Sequence, residues 1–490
     1  MNSRFKLDVT LCVIFLVAFT CPSFAQKNKV KESKIKDSAA KQYNLGIELG
    51  NKEQWQAAVE AYKKAIQISP NFADAYSNLG NIYSKLGNDA EAIAAYNQAT
   101  QIKPDFAEAY YNLGNVYLKL KRYQEAVGVY STASQLKPGF AEAFNNLGLV
   151  YGELNRYEQA IESFKEAIRI KPGYADSIYN LGDAYGKLAA WPQAIETFKQ
   201  ALAVKPDIAK AYNGIGLAYA NLNRYQDAID AFNQAVQFKT ADSFTYNNLG
   251  VAYSNLGRNQ EALTAYKQSV AMNSEYAEAY YNLGLAHGKL NQTNEAIEAF
   301  KRAIRIRPND APTHHDLALM YGKLGNRQQE VDELKQATRI NPNYGEAHHD
   351  LGLAYSELGR FQDAIDSYKQ AIRIKPNNVE TYIGMGFAYN ELGRYQEAVD
   401  AYKEALRFKP SSDRAYFNMG VSYMHLDRAQ EAVAAFKQAI GFKPDSAEAH
   451  FNLGLGYVYL KDKEQALKEY EILKPLDSAL AEKLFSVIPK

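Results

Sequence analysis

Two triplets in the chain have side chains able to hold a metal ion. His314, His315 and Asp316 return thirty-four residues later as His348, His349 and Asp350, and imidazoles with carboxylates form many zinc sites. Successive residues on a helix diverge by about 100°, however, and the i, i+4 pairing of a helical metal motif is missing. Duplication of one segment explains the doublet better than a metal does, so no cofactor is expected. Catalytic signatures are equally scarce. The sequence has no phosphate-binding glycine loop, no HExxH and no Gly-x-Ser-x-Gly, and its two cysteines, Cys12 and Cys21, both lie near the N-terminus. A non-catalytic protein is expected.

A longer column of residues offers hydrogen bonding instead. Asn44, Asn78, Asn112, Asn146, Asn180, Asn248, Asn282, Asn418 and Asn452 are separated by multiples of thirty-four; Asp316 and Asp350 continue the column, while Gly214 and Gly384 interrupt it. Asn inside a helix costs about 0.6 kcal/mol against Ala, so its return needs a reason. A carboxamide donates and accepts at once, which suits the alternating C=O and N–H of an extended polypeptide whatever its side chains. Inheritance by duplication is the competing explanation. One residue earlier stand Tyr43, Tyr111, Tyr179, Tyr281, His315, His349, Phe417 and Phe451, flat groups of the kind favoured as binding anchors. Three residues after the column, Asn81, Asn115 and Asp183 give way to Leu285, Leu319, Leu353, Phe387, Val421 and Leu455. The surface beside it should therefore become more apolar toward the C-terminal half.

The elements that would carry these columns repeat with the same period. Thirteen units align on their Leu-Gly pairs, from near Ala39 to near Ala447. Each has an aromatic or similar residue, Leu-Gly, usually Tyr three residues on, a polar turn, an acidic residue or Gln before Ala, an aromatic, Ala and then Pro. Glycine stands after the Leu-type residue in twelve units, and alanine follows it by twelve residues in the same twelve. A mid-helix Gly costs about 1 kcal/mol against Ala, so close approach of two helices, the glycine of one against the alanine of the other, is the expected compensation. The tyrosine column that includes Tyr83, Tyr117, Tyr355 and Tyr389 reads as interior packing. Pro70, Pro104 and their successors end the second helices, and Thr240 and Ser274 replace that proline in two units, so those junctions should be less sharply set.

This order of residues resembles the tetratricopeptide repeat family over nearly the whole chain beyond residue 38. The resemblance implies an all-α, right-handed α-solenoid superhelix of about thirteen helix-turn-helix units, with the first helices lining a concave groove. The asparagine and aromatic columns would then face that groove. The chain also resembles the superhelical arm of the nucleocytoplasmic O-linked GlcNAc transferases, in which such an asparagine ladder holds the backbone of bound polypeptide. Repeats, leader and cap fill the 490 residues, leaving no room within them for a glycosyltransferase domain. A two-carboxylate clamp, another mode of this family, is not expected: Asn81 and Asn112 could serve, but Glu142 and Asn146 stand where basic residues are wanted.

The ninth unit breaks the pattern, with Ala318 for Gly, Glu330 for Ala and Leu334 for the aromatic. A carboxylate between packed helices is unfavourable if buried, so a looser spacing and a hinge are expected there. Residues 39–476 form the expected repeat array and residues 477–490 a capping helix. Residues 1–25, with Arg4 and Lys6 before an apolar run, read as a secretory signal. A lipoprotein signal using Cys21 is the alternative and the one route to membrane association. Residues 26–38 are a polar, lysine-rich leader. With 56 basic against 55 acidic residues, no nucleic-acid partner is expected. The sequence thus points to an exported scaffold, periplasmic or secreted, that binds other proteins or peptides in its groove. The alternative is an accessory subunit of a cell-envelope enzyme or secretion complex, docking through its convex face. Nothing in the sequence sets an oligomeric state.

Overall fold

The computed structural model describes residues 22–206, 208–238 and 241–489. Among them every regular element is an α-helix, arranged as thirteen consecutive pairs and a final single helix, so the protein is an all-α solenoid. Residues 1–21 of the expected signal, and Thr240, lie outside the described residues. Among the described residues no helix is long and apolar enough to cross a membrane. The chain divides into two compact units, Met1–Arg224 and Tyr225–Lys490. The first holds repeats one to five and the first helix of repeat six; the second holds the remainder.

In the first unit, residues 26–38 are not separate from the array. They belong to one long helix, Pro22–Asn51, and residues 29–38 are all exposed. Where later first helices bury Ala75, Ala109 and Ala143, each 0% exposed, this one carries the exposed Lys41. Glu48 stands where Ile82 and Val116 are buried, and it pairs with Lys52 at 2.6 Å. A charged outward face of this kind suits the end of a stack. In the second unit the last helix, Ser478–Val487, covers repeat thirteen, and its buried Leu484 packs on Gly454.

Each turn between paired helices places one residue in the left-handed region, at thirty-four-residue intervals. Five are glycines, such as Gly87 (φ 78°), and the others include Glu53, Lys121, Ala189 and Lys461 (φ 55–61°). A side chain there costs roughly 1–2 kcal/mol. Ala189→Gly is therefore expected to stabilise the fifth repeat by about 1 kcal/mol, read as a higher urea midpoint.

The helical glycines make room for a ring rather than for alanine. A Cβ added at Gly114, Gly148, Gly284 or Gly420 would lie 2.5–2.6 Å from the aromatic sixteen residues on, respectively Tyr130, Phe164, Phe300 and Phe436. These rings are 0–3% exposed, so they are the filling between paired helices. The expected glycine–alanine contact is thereby corrected: the atoms nearest the missing side chain belong to the ring. In six repeats an arginine from the turn covers the first-helix tyrosine as well, its guanidinium 4.5–4.7 Å from the ring centre, as with Arg360 over Tyr355.

Repeat nine is not loosened. Its helices, Ala311–Lys323 and Arg327–Ile340, pack like the pairs around them. Ala318 and Leu334, both 0% exposed, replace the glycine and the ring; one side has grown as the other has shrunk. The Glu330 carboxylate sits over Gly322, where a Cβ would meet its Oε1 at 2.6 Å, and accepts a 2.8 Å bond from Arg327 Nη1. Arg327 also pairs with Glu357 of repeat ten. The expectation of a hinge overlooked these compensations. Ser274 needs correction too: Asn273 has the extended geometry (φ −138°, ψ 97°) found before the prolines, and its Oδ1 accepts the Glu275 N–H at 3.0 Å.

Candidate functional site

The asparagine column binds repeat to repeat. In the first unit, Asn78 Nδ2 donates to the Tyr43 hydroxyl at 3.0 Å, and Asn112 Nδ2 donates to Asn81 Oδ1 at 3.0 Å. Asn146 Nδ2 reaches Asn115 Oδ1 at 3.0 Å and the Tyr111 hydroxyl at 3.3 Å. Asn180 Nδ2 donates to Asn145 Oδ1 at 3.2 Å. The buried tyrosines join the same network, since Tyr96 and Tyr130 donate to Asn81 and Asn115 at 2.6 and 2.7 Å. Each carboxamide has two donors and two acceptor sites, so one ladder hydrogen engaged with the preceding repeat leaves hydrogen-bonding capacity unused by that bond.

These amides line open clefts. Asn78, Asn81, Asn112 and Asn115, with Trp55 and Lys85, border one of about 500 Å³. Asn180, Asp183, Leu149 and Lys187 border another of about 380 Å³. Asn44 is exposed, whereas Asn78, Asn112, Asn146 and Asn180 are half-buried. The aromatic neighbours are partly structural: Tyr111 lies against Tyr130 and Tyr179 against Phe198, with ring centres 5.8 and 5.5 Å apart.

The second unit presents a different face. Asn282 Nδ2 donates to Asn247 Oδ1 at 2.9 Å, but Asn452 turns back to its own helix at Glu448 O, 2.8 Å away. Asn248, Asn282, Asn418 and Asn452 are all half-buried. Tyr281 and Phe417 pack on Phe300 and Phe436, with centres 5.8 Å apart, and Phe451 is half-buried. Leu353 and Phe387 are 42% and 44% exposed, giving this face apolar footholds where Asn81 and Asn115 stand in the first unit. The two gaps in the column have a steric cause. A Cβ at Gly214 would lie 2.5 Å from the Phe198 ring, and one at Gly384 would lie 2.8 Å from Tyr368.

Asp316 and Asp350 change the sign of the ladder. Asp316 accepts from the Tyr281 hydroxyl at 2.9 Å, and Asp350 Oδ2 lies 2.7 Å from His315 Nε2. Burial opposes charge on His315, yet the Asp316 and Asp350 carboxylates outweigh it and push its pKa up to about 9. His349 instead meets the Thr381 hydroxyl at 2.9 Å, and burial lowers its pKa. The imidazoles are thus held by their own chain, and among the described residues no group of three or more acidic, His or Cys side chains is placed to hold a metal.

Sequence reasoning missed the partners of the ladder. Asn81, Asn115, Asn145 and Asn247 lie at separations of thirty-one or thirty-five residues from the amides they receive, and that recurrence was the available signal. It also missed His314–Glu333 and His450–Glu469, two pairs with one spacing of nineteen residues.

Family models agree with this architecture. The TPR repeat family matches residues 51–87, 80–121 and 388–427, and the Tetratricopeptide repeat family matches 105–173 and 413–446. The Cilia and flagella-associated protein 70 C-terminal domain matches 173–384. Among solved structures, MamA is 28% identical over 33% of this chain and 95% of its own, with a TM-score of 0.33. YrrB, described as a TPR protein with an unusual peptide-binding site, is 23% identical over 39% of this chain and 98% of its own, TM-score 0.36. The C-terminal part of a TPR protein from Cytophaga hutchinsonii is 18% identical over 49% and 99%, TM-score 0.44. No curated protein matches the chain. Thirteen helix pairs of one period, a glycine that admits a ring in nearly every pair, and matches to tetratricopeptide repeat models over residues 51–173 and 388–446 make this chain a tetratricopeptide repeat solenoid.

Proposed function

We propose that the protein is a non-catalytic interaction scaffold that holds extended polypeptide segments on the faces bearing the asparagine column. One observation carries this reading: the cleft of about 500 Å³ bordered by the amides of Asn78, Asn81, Asn112 and Asn115. Amide groups with capacity beyond their bonds to one another can pair with backbone N–H and C=O independently of sequence, while Trp55 adds an aromatic wall. In the second unit, Leu353 and Phe387 favour apolar side chains of the same or another partner. Export to a bacterial envelope compartment, through the N-terminal signal, belongs to this proposal, and so does attachment to a membrane if Cys21 is lipidated.

The test compares capture of envelope proteins by the unmodified chain with capture by two variants. One carries Lys85→Glu at the rim of that cleft with Leu353→Arg and Phe387→Arg beside the column, all exposed positions; the other carries Lys369→Glu on an exposed part of a second helix. Surface changes of this kind move stability by about 0.5 kcal/mol or less. Partners should be lost from the triple variant and kept by the Lys369 variant. The reverse would favour an accessory subunit docking through its second helices, and equal capture by all three would sink the proposed face.

A further inference from the structure

His314 is 7% exposed, and both ring nitrogens are engaged. Nδ1 lies 2.6 Å from Glu333 Oε2 on the second helix of its repeat, and Nε2 lies 3.1 Å from the backbone oxygen of Pro308, in the connection that follows repeat eight. Ionised carboxylates and carbonyl oxygens only accept. Bonds to both partners therefore require two ring protons, an imidazolium joining three segments of chain. The arrangement recurs in repeat thirteen, where His450 Nδ1 lies 2.6 Å from Glu469 Oε2 and Nε2 lies 3.0 Å from Pro444 O.

Other repeats supply the control. At the His314 position stand Tyr76, Tyr110, Tyr246 and Tyr280, and at the Glu333 position Ala95, Ala265 and Ala299. His348 occupies the same place in repeat ten and keeps the carbonyl contact, Nε2 to Pro342 O at 3.2 Å. Ser367 stands where Glu333 would be. Histidine and glutamate thus appear together twice, and the single histidine without a glutamate has one partner fewer.

We propose that His314–Glu333 is a proton-operated staple: it fastens the two helices of repeat nine and the preceding connection while the imidazole is protonated, and releases them as the proton leaves. The charged groups acting on His314 are Glu333 from the second helix and Asp310 from the connection, both acidic; His450 faces Glu469 from its second helix. Burial disfavours the charged ring of His314, but Glu333, the Pro308 carbonyl and Asp310 prevail and raise its pKa. His348, without the carboxylate, is lowered by burial, with the nearby Arg373 adding to that. For a histidine raised in the folded state, the stabilisation is fully present below its unfolded value of about 6.5 and is lost as pH rises through the folded value. The staple is therefore closed below about pH 6.5 and opens as pH rises through the raised His314 value.

The test replaces the staple with the pair found in other repeats, His314→Tyr with Glu333→Ala, in the full chain, so that folding is kept. Hydrogen exchange across Ala311–Ile340 and ring ¹⁵N shifts of His314 are followed from pH 6 to 10. In the unmodified protein both ring nitrogens should be protonated at pH 6.5, and protection of the repeat should fall about tenfold or more as the ring titrates. In the double variant that pH-dependent fall should vanish while His348 still titrates below the usual range. The proposal is overturned if His314 is singly protonated at pH 6.5, or if protection in the two proteins changes equally with pH.

Discussion

Arg327→Ala is expected to weaken repeat nine by about 2–3 kcal/mol, the largest single-residue effect foreseen for this chain. The reason is what it leaves behind. Glu330 has only 10% of its side chain exposed and lies between two helices where other repeats have alanine. Its nearest cation is Arg327, at 2.8 Å. Breaking a fully buried pair costs more, but the Arg327 side chain is 32% exposed, and solvent takes up part of the loss. Burial raises the Glu330 pKa even though Arg327 works against it. The folded state therefore holds a proton at Glu330 more tightly than the unfolded chain does, and the variant should be most stable within and below the ordinary carboxylate range and weaken as pH rises from there through the raised Glu330 value. Adding Glu330→Ala to Arg327→Ala should recover most of the loss. Hydrogen exchange of Arg327–Ile340 at pH 5 and pH 8 reads all three effects, and a single variant as protected as the unmodified chain at pH 8 would contradict the account.

Gly284→Ala should also destabilise, by about 1–2 kcal/mol, against the direction that helix propensity alone would give. The added Cβ would lie 2.6 Å from Phe300 Cε1, and Phe300 is 1% exposed with no room to retreat. Repeat nine shows how the chain itself resolves this conflict, pairing Ala318 with Leu334, both 0% exposed. The double variant Gly284→Ala with Phe300→Leu should therefore be more stable than Gly284→Ala alone. Urea denaturation of the three proteins gives the answer. A single variant with an unchanged or higher midpoint would mean that the ring is not confined by the glycine.

These effects show which parts of the molecule were legible in the letters. Period, helix type and helix limits follow from the return of Leu-Gly, proline and the turn residues, because each acts on its own stretch of backbone. Partners across the helix pair were harder. Alanine and an aromatic both follow the glycine at fixed distances, twelve and sixteen residues, and spacing alone does not say which one fills the missing volume; only the placement of Phe164 against Gly148 does. The ladder was legible as a column but not as a chain of bonds. Asn112 donates to Asn81, a residue of the preceding repeat in a different column, and that offset depends on how one helix sits upon the next. Repeat nine misled for a related reason: Glu330 stood out from the period but Gly322 and Arg327 did not, and their compensation exists only once the three are brought together.

The side-chain bonds of the ladder reach no farther than the neighbouring repeat, at sequence separations of thirty-one to thirty-five residues. Contacts that local give a low contact order, and chains of low contact order fold quickly. As synthesis proceeds from the N-terminus, each new hairpin meets its one partner already formed, so assembly can advance in the direction of translation without waiting for the far end.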